Sequence, residues 1–228
     1  MSATVFDPAP PVLLPVIGER AAFPVRRIYC VGRNYAAHAR EMGADPEREP
    51  PFFFTKPRDS ALGISGHVHL PYPGATDDLH HEVELVVALS GGGRDIPPDE
   101  AGALIYGYGV GVDLTRRDLQ AAAKAAGRPW DTAKGFDHSA PMGAISREAP
   151  APDAPITLSV NGSQRQGGRL SDMIWSIPEV IAEASRLWTL APGDLIFTGT
   201  PEGVGPIVRG ERVEAHIEGL PSLAFTLE

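Results

Sequence analysis

The run His80-His81-Glu82-Val83-Glu84-Leu85-Val86-Val87-Ala88 constrains the fold more than any other part of the chain. It reads as a buried strand, yet it carries two glutamates one residue apart. Alternation along a strand points both carboxylates to the same face, about 7 Å apart. Like charges at that distance repel, and a buried carboxylate without a partner is costly. A cation must therefore reach this face, either a bound metal ion or a facing basic side chain, and a metal is the first reading.

The remaining sequence supplies turns and short segments. Its 25 glycines and 23 prolines are dispersed over 228 residues rather than clustered, which suits many short strands and a β-rich α+β fold. The length allows one sizeable core. Residues 1–22, rich in Pro and Ala, are expected to form an N-terminal arm or edge segment, and residues 23–228 a single catalytic domain. A formal charge of −9 with scattered Lys and Arg offers no footprint for nucleic acid. No stretch approaches 18 apolar residues, and residues 1–11 lack the blocks of a signal peptide, so a cytoplasmic protein without a membrane partner is expected. The lone Cys30 excludes an internal disulfide and any cysteine metal cluster.

Along the chain, strands are expected at 27–31, 52–55, 80–88, 105–114, 195–198, 212–217 and 223–227. A helix of about two turns is expected over 35–42, stopped by Gly43. The loop at 60–66 is expected to border a pocket. Gly107, Gly109 and Gly111 leave one face of their strand bare, a sign of close backbone approach. Thr115 is placed to cap a helix over 116–126, and Asn161-Gly162 suits a type I′ hairpin turn. Ser176 with Glu179 resembles a capping box that opens a helix running to about residue 188.

Chemistry concentrates around the paired glutamates. With a third carboxylate they form a hard, oxygen-only site suited to Mg2+ or Mn2+, and Asp113, at the end of an apolar strand, is the best third candidate. The competing reading pairs these acids with Arg116 or Arg117 as a structural network. A zinc-protease motif is excluded, because position 85 is leucine rather than histidine. His38 and Glu41 are three residues apart on a short helix, where a carboxylate can orient an imidazole acting as general base. Arg117 and Gln120 share the same spacing and can present a guanidinium and an amide to a substrate carboxylate. Lys134, between small and aromatic residues, is placed to be partly desolvated. The loop 199–205 lacks a phosphate-loop ending and reads as an anion-binding turn using Thr200.

Five segments in this order, YCVGRNYAAH at 29–38, HEVEL at 81–85, DLTRRDLQ at 113–120, Ala133-Lys134 and TGTPEGVG at 198–205, resemble the fumarylacetoacetate hydrolase family, in particular its small acylpyruvate and fumarylpyruvate hydrolases. The resemblance covers about residues 24–227. It implies a mixed β-sandwich roll of the kind formed by that family's C-terminal domain, usually as a homodimer. It further implies Mg2+ or Mn2+ on Glu82, Glu84 and Asp113, a His38–Glu41 pair on a mobile lid, and substrate contacts from Arg117, Gln120, Lys134 and Thr200. The activity it implies is hydrolysis of the carbon–carbon bond of a small 2,4-diketo acid, with fumarylpyruvate from aromatic-compound degradation as the preferred substrate. Decarboxylation of oxaloacetate, or its keto–enol interconversion, is the alternative on the same site.

Overall fold

Buried along its whole length, the strand Val83–Leu89 is the centre of the molecule. The computed structural model describes residues 4–41 and 49–228, without the side chains of 39–41. The expected helix end at Gly43 and the side chain of Glu41 therefore lie outside the described residues. A seven-stranded sheet runs in the order Phe52–Lys56, Arg27–Gly32, Asp194–Phe197, Val83–Leu89, Ile105–Val112, Ala140–Met142, Ala61–Gly63. Its pairing is mixed, with Asp194–Phe197 parallel to Arg27–Gly32 and antiparallel to Val83–Leu89.

Three apolar clusters explain why the central strand is buried on both faces. Val83 and Leu85 pack against Ile156, Leu158, Val213 and Phe225 of a second, five-stranded sheet. Val87 and Leu89, farther along the same face, meet Val180, Ile181 and Ala184 of a helix. On the opposite face, Val86 and Ala88 share a core with Ile28, Phe197 and Met142, and this core takes in Phe54 and Ala61 from the two edges of the sheet. Residues from both edges packing into one core mean that the sheet curls on itself, giving the β-rich roll.

The helices are short: α1 (Ala36–Glu41), α2 (Pro98–Ala101), α3 (Arg117–Ala125), α4 (Asp131–Lys134) and α5 (Ile177–Leu187). Helix α5 opens with the expected capping box of Ser176 and Glu179. Asn161 and Gly162, both at positive φ, turn the hairpin between Pro155–Val160 and Ser163–Arg169. Gly111 permits the close approach expected of its strand, since a Cβ there would lie 2.6 Å from Val86 and 2.7 Å from Phe197. Residues Leu13–Leu14 and Phe23–Pro24 form a ribbon that buries Leu14, Val16 and Phe23. Among the described residues no helix is long and apolar enough to cross a membrane.

Two expectations are corrected. The segment 80–88 is not one strand: Leu79–His81 belongs to a small sheet with Thr115–Arg116 and Gly205–Pro206, and the chain leaves strand geometry at Glu82. The neighbouring strand breaks at the same level, where Asp113 N–H donates to the Glu82 carbonyl at 2.8 Å. Thr115 does not cap the following helix, because it lies in the short Thr115–Arg116 strand and its hydroxyl is engaged by Lys134 at 2.7 Å.

Candidate metal centre and active site

The paired chain breaks at Glu82 and Asp113 aim two carboxylates toward a third, Glu84, at the start of the central strand. The ligand oxygens of Glu82, Glu84 and Asp113 all lie within 4.8 Å of one another, and all three residues are buried. Basic groups from two helices meet them. Lys134, at the end of α4 and only 2% exposed, donates to Glu82 Oε2 at 2.7 Å and to Asp113 Oδ2 at 2.6 Å. Arg117, at the start of α3, reaches Glu82 Oε1 at 2.5 Å and Gln120 Oε1 at 2.5 Å.

The network alternative is thus half realised. Arg117 pairs with Glu82, whereas Arg116 turns away, with its guanidinium 4.3 Å from the Phe136 ring centroid. Burial alone raises the Glu82 carboxyl, but Lys134, Arg117 and His38 reverse this and hold it well below the usual carboxylate range. Lys134 stays protonated because Asp113 and Glu82 outweigh the cost of its burial.

Glu84 is different. Its Oε2 accepts the Gly199 N–H at 2.7 Å, and among the described residues it has no ion pair. Burial, then the charges of Asp113 and Glu82, push its carboxyl well above the ordinary range. Three hard oxygen donors converging in a buried space, one of them lacking a cationic partner, suit a divalent cation of the Mg2+ or Mn2+ class.

Glu82 and Glu84 line a pocket with His38, Arg117, Gln120, Lys134 and Thr200, so the site residues expected from sequence share one space apart from Asp113, buried directly behind, and Glu41. The loop at 60–66 does not contribute to the lining. Its residues enter the sheet as the strand Ala61–Gly63, and Phe54, Trp130, Arg33 and Lys124 stand at the pocket instead.

Two residues that sequence reasoning passed over support the site. Lys56, fully buried, forms an ion pair with Asp113 Oδ1 at 2.8 Å and donates to the carbonyls of Leu114, Lys134 and Ser139. A lysine closing an otherwise apolar strand, separated from three phenylalanines only by Thr55, was the available signal. Gln166 fixes the direction of a hydrogen-bond chain. Its Oε1 accepts from Val83 N–H at 3.0 Å and sits 2.8 Å from His81 Nδ1, so that nitrogen carries the proton. Its amide nitrogen then donates to Thr200 Oγ1 at 2.8 Å and to the Pro201 carbonyl. Thr200 therefore accepts from Gln166 and keeps its own proton to donate into the pocket. Nothing in the polar stretch 163–169 marks Gln166 beforehand.

A curled mixed sheet carrying three acids and a buried lysine at one end defines a class, and comparison with known proteins gives the same result. The family described as "Fumarylacetoacetate (FAA) hydrolase C-terminal" matches residues 27–228. The crystal structure of fumarylpyruvate hydrolase from Pseudomonas aeruginosa in complex with Mn2+ and pyruvate superposes with a TM-score of 0.94 at 48% identity, covering 99% of each chain. A putative fumarylpyruvate hydrolase from Burkholderia cenocepacia gives 0.91 at 52% identity, covering 100% of this chain and 95% of that one. A mitochondrial oxaloacetate tautomerase from Arabidopsis thaliana is 44% identical over 89% of this chain and 91% of its own. The chain belongs to the fumarylacetoacetate hydrolase family. It is an enzyme of that family, a hydrolase or a tautomerase.

Proposed function

We propose that this enzyme hydrolyses 2,4-diketo acids, with fumarylpyruvate cleaved to fumarate and pyruvate. The observation that carries the reading is the presence of His38, a candidate base for water, in the same pocket as Glu82, Glu84 and Lys134. Hydrolysis needs an activated water, whereas tautomerisation does not. The 48% identical fumarylpyruvate hydrolase, whose structure holds Mn2+ and pyruvate, supports the same reading.

Glu82, Glu84 and Asp113 would hold Mg2+ or Mn2+, which supplies Lewis-acid stabilisation of negative charge at the pyruvoyl end of the substrate. Arg117 and Gln120 bind the substrate carboxylate, and Thr200 donates its free hydroxyl proton to the same anion. His38, which the sequence places three residues before Glu41, takes a proton from the water that adds to the C4 carbonyl. The C3–C4 bond then breaks, fumarate departs, and the electron pair remains on pyruvate as its enolate. Lys134 balances that charge from its buried position. The proton taken from water returns to C3, giving pyruvate.

Tautomerisation of oxaloacetate is the second reading, favoured by the 44% identical Arabidopsis relative. Loss of enol absorbance should be followed for fumarylpyruvate, acetylpyruvate and oxaloacetate, with and without chelator, while fumarate and pyruvate are quantified. Chelator-sensitive release of both products supports hydrolysis. Turnover of oxaloacetate alone supports the second reading, and activity indifferent to chelator contradicts both.

A further inference from the structure

The pocket continues past the acids along one face of α3. Arg117, Gln120 and Lys124, at spacings of three and four, share that face and all line the pocket. Arg117 and Gln120 lie at the end occupied by Glu82, so Lys124 marks the far end. Phe54 and Trp130, with ring centroids 6.1 Å apart, contribute aromatic lining. Arg33 also lines this space.

The cations that line the pocket differ in kind. Arg117 and Lys134 are neutralised by Glu82 and Asp113. Arg33 and Lys124 have no ion pair among the described residues, although the chain as a whole carries −9. Arg33 also holds φ at +61°, a conformation unfavourable for a non-glycine residue. The next residue pins this turn: Asn34 donates to the Thr198 carbonyl at 2.8 Å and accepts from Trp175 N–H at 2.7 Å. The fold thus keeps an arginine beside the pocket at a cost in backbone strain.

From these observations we infer that Lys124 and Arg33 form a second anion subsite, which binds the far carboxylate of an extended keto diacid. The inference rests on the reading above only in placing the keto-acid end of the substrate at Glu82, Glu84 and Asp113. Length favours the longer substrate. Seven residues of helix place Lys124 about 10 Å along the axis from Arg117. A seven-carbon diacid spans about 8 Å and a four-carbon one about 4 Å, at ~1.3 Å of advance per carbon–carbon bond. The aromatic lining suits the unsaturated middle of a chain such as fumarylpyruvate, and the cations exclude an uncharged acyl tail from equal binding.

The test is calorimetric titration of the Mn2+-loaded enzyme with 2-oxoheptanedioate and 2-oxoheptanoate, which share one keto-acid end and differ at the other. The wild type is expected to prefer the diacid by about tenfold. The double variant Lys124→Glu, Arg33→Asn should bring the ratio to about one or below, with asparagine chosen because it tolerates positive φ. If that variant does not fold, Lys124→Gln alone, on an exposed helix position, should lower the ratio about threefold. Absence of a diacid preference in the wild type, or its persistence in the folded variants, overturns the inference. A preference that is lost in the variants, in an enzyme that does not cleave fumarylpyruvate, leaves the subsite standing and removes the hydrolase reading alone.

Discussion

Lys56 and Lys134 hold opposite oxygens of one carboxylate: Lys56 Nζ lies 2.8 Å from Asp113 Oδ1, and Lys134 Nζ lies 2.6 Å from Asp113 Oδ2. The two lysines are also joined directly, since Lys56 donates to the Lys134 backbone carbonyl. Asp113 is thereby fixed in rotation, and its remaining reach is toward Glu82 and Glu84. A lysine on an edge strand, remote in sequence from Asp113 and Lys134, thus positions both a candidate metal ligand and the lysine proposed to face the substrate.

Replacing Lys56 with methionine keeps the volume but strands Asp113 Oδ1 and three carbonyls. Breaking a fully buried pair from one side costs about 3–5 kcal/mol, so urea denaturation should show a loss of that size. A loss under about 1 kcal/mol would mean that Lys56 does not hold Asp113 in solution.

Glu84→Gln separates metal binding from folding. The variant removes a carboxyl repelled by Asp113 and Glu82, so the metal-free protein should be at least as stable as the wild type. Saturating Mn2+ at one hundred times the dissociation constant stabilises a binding protein by about 2.7 kcal/mol, and this increment should vanish in the variant. Thermal melts with and without Mn2+ read both quantities, and a retained increment would exclude Glu84 as a ligand.

The raised Glu84 carboxyl has a definite sign in pH dependence. Its folded value lies above its unfolded one, so its contribution to metal-free stability is greatest below the unfolded value and is lost as pH rises through the folded one. Cation binding needs the carboxylate form and releases the proton, so Mn2+ affinity should rise with pH across that window. Titrations in two buffers of different ionisation enthalpy would detect the released proton, and identical apparent enthalpies would contradict the assignment.

His38→Ala should reduce fumarylpyruvate hydrolysis by about 10²–10⁴-fold, the range for loss of a general base, while oxaloacetate decarboxylation is spared. Steady-state rates on both substrates check this. Equal loss of both, or of neither, would remove His38 from the role of water base.

Thr200→Val should raise KM for the keto acid more than it lowers kcat, because one hydrogen bond to an anion is worth about 1.5–3 kcal/mol. Thr200→Ser should restore it. Gln166→Glu should mimic the valine variant, since a carboxylate at that position accepts the Thr200 proton and draws it from the pocket. Normal KM in Gln166→Glu would refute the hydrogen-bond direction derived above.

Local pattern was sufficient for much of this molecule. The two-residue spacing kept Glu82 and Glu84 together although the strand begins only at Val83, Asn161-Gly162 marked a hairpin, and Ser176 with Glu179 marked the start of α5, because each depends on residues close together along the chain. The expected trio of acids converges for a related reason, since Asp113 lies beside Glu82 across a single pair of strands. Other features were set by partners far along the chain. Burial in Phe52–Lys56 runs against hydrophobicity, with Phe52 45% exposed and Lys56 only 3%. A strand at the edge of a curled sheet has little to bury its aromatic rings, whereas its last residue points at Asp113, 57 positions away. Thr115 was claimed by Lys134 rather than by a helix end, and Gln166 acquired its role only by lying opposite His81 and Thr200. Short-range geometry follows from the order of side chains on a strand or helix. A buried charge takes its meaning from whichever opposite charge the folded chain brings to it.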